Sequence, residues 1–181
     1  MTRKCRKKAM YYAKINPTDI ANGPGCRVSI FVSGCTHQCP GCFNEIAWNF
    51  QYGDPYTDKT ESQILAALDK NYIQGLSILG GEPFEPNNQE TVYSLICAVR
   101  KHLPQKDIWC YSGSTMEELL YPDNRFHTEW TMPILKNIDV LVDGKFDLSK
   151  KNIRLQFRGS ANQRVIDIKK TLQTGSVITL Y

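Results

Sequence analysis

No stretch of this chain of 181 residues approaches the ~18 consecutive apolar residues that a membrane-spanning helix requires. There is no secretory h-region, no internal repeat and no low-complexity linker. Seven cysteines, an odd number in no evident disulfide framework, argue against a disulfide-stapled secreted fold and favour a reducing cytoplasm. Charge of one sign is not in large excess either. The net charge is +4, and much of it sits in Arg3, Lys4, Arg6, Lys7 and Lys8. Such a run can attract nucleic acid or an acidic partner. The expectation here is a solvated, disordered tail over residues 1–10 and a single domain over 11–181, with neither nucleic acid nor membrane as partner.

What the chain does have is three thiols in one short loop, Cys35-Thr36-His37-Gln38-Cys39-Pro40-Gly41-Cys42. A 4Fe–4S cluster takes one ligand on each of four irons, usually a thiolate. Three cysteines therefore leave one iron open to a ligand that is not protein, and an open position is what separates catalytic from structural metal sites. The other reading is a zinc site with His37 or a remote cysteine as fourth ligand, since thiolates also select zinc. His37 lies between the first two thiols, which suits a tetrahedral knuckle poorly, and only one C-x2-C hook is present. Cys5, Cys26, Cys97 and Cys110 are too scattered for a second cluster. Cys97 falls on the apolar stripe of a helix and Cys110 in a strand, where a free thiol is a small hydrophobe.

The pattern along the chain alternates strands with helices. Arg27–Val32 is a β-branched run entered through the turn Asn22-Gly23-Pro24-Gly25, and the cysteine loop follows it. Leu76–Leu79, Asp107–Tyr111 and Ile138–Val142 read as further strands, with Val165–Ile168 a short one near the C-terminus. Thr60–Lys70 and Asn88–Leu103 carry apolar residues at helical spacing, and Ser114-Thr115-Met116-Glu117 has the form of a capping box. Such alternation implies βα units and a parallel sheet. The strands are too few for a closed eight-stranded barrel, so the expected fold is α/β, a partial, open (βα) barrel of parallel strands. The cysteine loop, Gly80-Gly81-Glu82-Pro83, Ser112-Gly113 and Asp143-Gly144-Lys145 all follow strands, which gathers the polar motifs on one face. Two glycines after a buried strand let the backbone approach a ligand closely.

With C-x3-C-x2-C first and Gly80-Gly81-Glu82-Pro83 some forty residues later, the chain resembles the radical S-adenosylmethionine (SAM) superfamily. Further blocks narrow the resemblance: Asp19–Gly25, Phe31–Cys35, Cys42-Phe43-Asn44, Trp48, Asp107-Ile108-Trp109, Val140–Phe146 and Phe157–Arg164. Together they resemble the activating-protein family of anaerobic (class III) ribonucleoside-triphosphate reductases, from about residue 11 to 168. One departure is Phe43, where family members often carry tyrosine; the aromatic face is kept and the hydroxyl is lost.

The resemblance implies that Cys35, Cys39 and Cys42 each ligate one iron of a 4Fe–4S cluster whose open iron binds SAM. Gly41, Cys42 and Phe43 would contact SAM, with Phe43 near the adenine, and Gly80 and Gly81 would bind its methionine end. Ser112 and Gly113 would lie near the ribose, with Asp143 and Lys145 near the methionine carboxylate or the substrate loop. A 5′-deoxyadenosyl radical would abstract hydrogen from a glycine of the reductase, with a flavodoxin or ferredoxin as electron donor. Other readings stay open at this point. One is an activase of another glycyl-radical enzyme, of the pyruvate formate-lyase type, or a small-molecule radical SAM enzyme. A zinc-bound binding module without catalysis is the other.

Overall fold

The computed structural model describes residues 10–181, so the basic run and Cys5 lie outside the described residues. Met10, the last residue assigned above to the tail, is buried in the core. In chain order the elements are β1 (Tyr11–Asp19), β2 (Cys26–Val32), β3 (Asp54–Pro55), α1 (Asp58–Leu68), β4 (Ile73–Gly80), α2 (Pro86–His102) and β5 (Asp107–Tyr111). They continue with α3 (Met116–Leu120), α4 (Thr131–Asn137), β6 (Val140–Asp143), β7 (Arg164–Asp167) and α5 (Ile168–Thr174).

All seven strands form one sheet in the order β3-β1-β2-β4-β5-β6-β7. The expected parallel pairing holds only in its centre, where β2, β4, β5 and β6 run parallel. The sheet as a whole is mixed rather than parallel throughout, and with β3 and β7 as its edges it is open. The reason lies in the connections. β1 returns into β2 through the short Asn22–Gly25 turn, and such a turn can join only antiparallel strands. β7 likewise runs back antiparallel against β6.

The helices cover one face. Val28, Ile30, Leu76, Ile78, Ile108, Cys110 and Leu141 meet Ile64 and Leu68 of α1, Val92, Leu95, Ile96 and Val99 of α2, and Ile134 and Leu135 of α4 in the main core. At about 25 cal/mol per Å² of buried apolar area, this cluster is the dominant stabiliser. α1 opens on a reciprocal cap between Thr57 and Thr60. α2 opens on Pro86, whose missing N–H costs nothing there, and closes on Arg100, Lys101 and His102, suited to the negative end of its dipole.

The opposite face holds a smaller cluster of Trp109, Val140, Val142 and Val165 and the fully buried Arg27. The Arg27 guanidinium donates to Ser77 Oγ (2.7 Å) and to the Leu76 carbonyl (2.9 Å), and pairs with Asp107. This arrangement locks β2, β4 and β5 together at the end away from the cysteines.

Smaller corrections follow local rules. The capping box lies one residue later than expected, between Thr115 and Glu118, because Thr115 has the extended backbone of an N-cap. Ile138 caps α4, and Ile168 opens α5 behind the Asp167 cap.

Candidate cluster and cofactor site

The strand ends at one edge of the sheet are tied to their loops by continuing the ladder past the strands. Gly81 N–H donates to Val32 O (2.7 Å), Glu82 N–H to Gly34 O (2.8 Å), and Ser112 N–H to Val142 O (2.8 Å). One cavity opens there. Cys35, Cys39, Cys42 and Phe43 line it from the cysteine loop, Gly80, Gly81 and Glu82 from the end of β4, and Ser112, Gly113 and Gly144 from the ends of β5 and β6. Four different segments thus converge on the place that the sequence motifs share.

Not every expected residue is there. Gly41 is absent from the wall; it has φ 72° and packs against Leu148. Asp143 is wholly buried and committed elsewhere, accepting from Met116 N–H (2.7 Å) and from Arg164. Lys145 is exposed and outside the wall, close enough to Cys39 to favour its thiolate. The two glycines also differ from expectation in what they make room for. A Cβ on Gly80 would meet the Phe31–Val32 backbone at 2.8 Å, and one on Gly81 would meet Gly34 O at 2.6 Å. Their lack of side chains lets β4 close on the root of the cysteine loop, and both still face the cavity.

Three polar residues of the Glu82-Pro83-Phe84-Glu85-Pro86-Asn87-Asn88 stretch, spaced by three, grip that loop at Ser33, Thr36 and His37. Asn88 Nδ2 donates to Ser33 O (3.0 Å) and to Glu82 O (3.0 Å). Glu85 Oε1 accepts from Thr36 N–H (2.8 Å) and Thr36 Oγ1 (2.5 Å), and Arg125 closes the set on Glu85 Oε2 (3.2 Å) and Thr36 Oγ1. Glu82, with no exposed surface, accepts four bonds. Phe84 N–H binds its Oε1 (2.8 Å), while Gly113 N–H (2.7 Å), Ser112 Oγ (3.2 Å) and His37 Nε2 (2.9 Å) bind its Oε2. The sequence reading passed over Glu82, Glu85 and Asn88 as ligand-positioning groups. The signal was present as two acids and an amide at i, i+3 and i+6, but acids near a helix start read first as dipole complements.

His37 is thereby accounted for: its ring binds Glu82 and stacks on Phe126 at 4.7 Å. Among the described residues, no three His, Cys, Asp or Glu side chains converge on a point as a single-ion site does. A zinc ion needs such convergence at about 2.3 Å from each sulfur, whereas a cluster spreads its thiolates over separate irons. Burial pushes the Cys35 thiol up to about 12, with Glu82 and Glu85 adding to the rise against the backbone amides of His37 and Gln38. Cys39 is raised by burial too, partly offset by Lys145. A positive cluster would reverse that balance, since metal ligation takes the thiolate and releases the proton.

The donor set fits an iron–sulfur cluster with a polar organic ligand beside it. Trp48 and Tyr111 line the same cavity, and the indole Nε1 and phenol oxygen are buried without partners among the described residues. Orphaned buried polar groups are rare enough in native proteins that each calls for an explanation. Phe43, 84% exposed, stands at the mouth.

Three cysteines in the one loop after β2, at the C-terminal edge of the parallel strands, are donors of the kind that hold iron–sulfur clusters. Residues 21–166 match the family model of the 4Fe-4S single cluster domain. Three similar proteins are named anaerobic ribonucleoside-triphosphate reductase-activating protein. That of enterobacteria phage T4 is 40% identical over 156 residues, 86% of this chain and 93% of its own. That of Pasteurella multocida is 43% identical over 156 residues (85% and 95%), and that of Escherichia coli K12 41% over 158 (86% and 97%). The chain belongs to this family of reductase-activating proteins. Among the described residues no helix is long and apolar enough to cross a membrane.

Proposed function

We propose that the chain is a radical SAM activase for an anaerobic ribonucleoside-triphosphate reductase. In this reading Cys35, Cys39 and Cys42 each hold one iron of a 4Fe–4S cluster, and the fourth iron is left for SAM. A cluster held there, reduced by a flavodoxin or ferredoxin-type donor, would supply the one electron that splits SAM into methionine and a deoxyadenosyl group; that group would take the glycine hydrogen, leaving 5′-deoxyadenosine and a glycyl radical on the reductase.

The chain's own residues bind, orient and shield. Gly80 and Gly81 offer backbone groups to the methionine end, while Cys42 and Phe43 flank the adenine. Gly41 supports that turn from outside the cavity wall. Glu82 holds the loops after β2, β4 and β5 at fixed separation, so the thiols and the glycine turn keep one geometry. Apolar walls from Leu79 and Phe146 keep bulk water from the reacting atoms.

The observation that carries this reading is the shared cavity: three thiols and the Gly80-Gly81 turn face one space in a chain whose relatives are named for activating the reductase. Anaerobic reconstitution with iron and sulfide, followed by EPR of the dithionite-reduced protein with and without SAM, tests it. The expected result is a reduced-cluster signal that changes shape with SAM, followed by 5′-deoxyadenosine release and a glycyl signal on the reductase. Zinc in place of iron, or a signal indifferent to SAM, overturns it.

A further inference from the structure

A second hollow adjoins the thiol cavity and shares Phe43, Leu79, Tyr111, Phe146 and Gln163 with it. Its outer wall is the segment from Leu155 to Gly159, and its far end is Ala21-Asn22 in the turn between β1 and β2. The wall is polar where an apolar one would suffice. Arg158 Nε is buried with no partner among the described residues, and so is the Tyr111 hydroxyl at the junction of the two spaces. Among the described residues the Arg158 head makes one bond, from Nη1 to Tyr181 O (3.1 Å). Phe157, beside it, has φ 57°, a left-handed backbone that a phenylalanine adopts at a cost of order 1–3 kcal/mol. Its ring is fixed edge-on between Trp109 and Tyr181.

Resting on the activase reading above, we infer that this hollow receives the main chain of the reductase segment that carries the target glycine. Arg158 and Tyr111 donate to that segment's carbonyl oxygens. Three features favour an extended peptide over another small molecule. The hollow is continuous with the space where the radical would arise, so a strand lying along it brings a glycine to the junction. The two stranded groups are hydrogen-bond donors lining one trough, and a peptide in extended conformation offers carbonyls along its length. Exposed apolar side chains occur on and next to its lining segments, with Phe43 of the wall at 84% exposure, Ile20 beside Ala21 at 79% and Ile153 two residues before Leu155 at 93%, as expected of a surface that meets protein.

The stranded donors are shielded from water, so an acceptor reaches them with a small shift of the 152–158 span. That span is mostly exposed. Its far end is pinned by Gln163, whose Oε1 accepts from Gly159 N–H (2.9 Å) and Ser160 N–H (3.1 Å), and whose Nε2 donates to Gly144 O (2.9 Å). The trough therefore has one fixed end beside the cavity and one adaptable wall.

The test uses the reconstituted activase with its full-length reductase. Arg158→Gln removes the charged donor, and Leu155→Asp places a carboxylate in the trough without emptying the core. Both should keep the SAM-dependent change of the cluster EPR signal. Both should lower the initial rate of glycyl-radical formation, and weaken reductase binding, by about tenfold to a hundredfold, the range for one charge-assisted hydrogen bond. Arg158→Lys should restore only part of the loss. Unchanged reductase binding and radical yield in both variants overturns the inference while leaving the activase reading intact. Loss of the SAM response in Arg158→Gln also overturns it, because the hollow would then belong to the cofactor. If the wild-type protein itself shows no SAM response, it is the activase reading that fails.

Discussion

Glu82→Gln is the sharpest test of how the site is held. The carboxylate makes four bonds with no exposed surface, three on Oε2 and one on Oε1. An amide is a near-isostere, but one of its ends donates. Its least costly orientation keeps the oxygen toward His37, Ser112 and Gly113 and turns the NH2 toward Phe84 N–H, setting donor against donor. Stranding that backbone N–H costs about 1–3 kcal/mol. The three bonds kept lose their charge assistance, at roughly 0.5–1 kcal/mol each. Relief of the buried charge offsets part of this, leaving a net loss of about 2–4 kcal/mol. For a domain of this size that corresponds to a Tm lowered by roughly 5–15 °C. Thermal unfolding of the metal-free protein by circular dichroism reads it directly. Iron content after reconstitution should fall as well, since the His37 end of the cysteine loop loses its anchor. A variant melting within 2 °C of the parent (about 0.5–1 kcal/mol by the same conversion) would refute the idea that Glu82 knits the three loops.

Three further outcomes follow from other parts of the molecule. Asp107→Ala leaves the Arg27 guanidinium, 0% exposed, without its counter-charge, and should lower the urea midpoint by the equivalent of about 3 kcal/mol or more, while Arg27→Met, which removes the charge itself, should cost less. Gly113→Ala puts a methyl 2.5 Å from the His37 ring; it should displace His37 from Glu82 and lower iron uptake, measured per chain, more than it lowers Tm. Acid unfolding should report Glu117, whose carboxyl is held down at about 2 by hydrogen bonds from Arg164. Because the folded value lies below the ordinary one of 4.5, its contribution is full above that pH and is lost as pH falls toward 2. Glu117→Gln should flatten that part of the stability curve, modestly, because the pair is solvent-screened.

The central strands β2, β4 and β5 were legible because their apolar runs are unbroken and both ends carry turn residues. The edges were not. β1 carries Pro17, Thr18 and Asp19 with two register shifts against β2, so no alternation survives to be read; β3 pairs only with Tyr11 and Tyr12, and the uncovered remainder of β1 tolerates a proline and bulges as an edge does. Without β1 and β3 nothing showed that the sheet turns antiparallel there, and strand–helix alternation alone extrapolated to parallel strands throughout an open, partial barrel. α4 escaped notice because Pro133 sits inside its first turn, where a proline is harmless. In the site, residues that face a common space were readable from motif and strand order. Those whose partners lie in distant segments were not: Glu85 with Thr36 and Arg125, or Asp143 with Arg164, are pairings that only the folded chain brings together.

The three-residue spacing of Glu82, Glu85 and Asn88 gives the cysteine loop two unequal halves. Ser33, Thr36 and His37 are each bonded to that stretch, and Gly34 and Cys35 are bonded through their N–H groups to Ala47 and Trp48. Cys35 therefore sits on backbone fixed by the scaffold. Beyond it, Gln38 and Gly41 adopt left-handed backbone, and the turn is closed locally by Cys42 N–H on Cys39 O (3.1 Å) and Asn44 N–H on Cys42 Sγ (3.4 Å). A loop built this way holds its first thiol on scaffold-anchored backbone and its second and third in a locally closed turn. Gly80-Gly81 immediately precede that stretch, and Glu82 N–H is bonded to Gly34 O (2.8 Å), so the root of the cysteine loop and the glycine turn are held as one body. Whatever is held between them keeps its orientation even while the outer half of the loop adjusts.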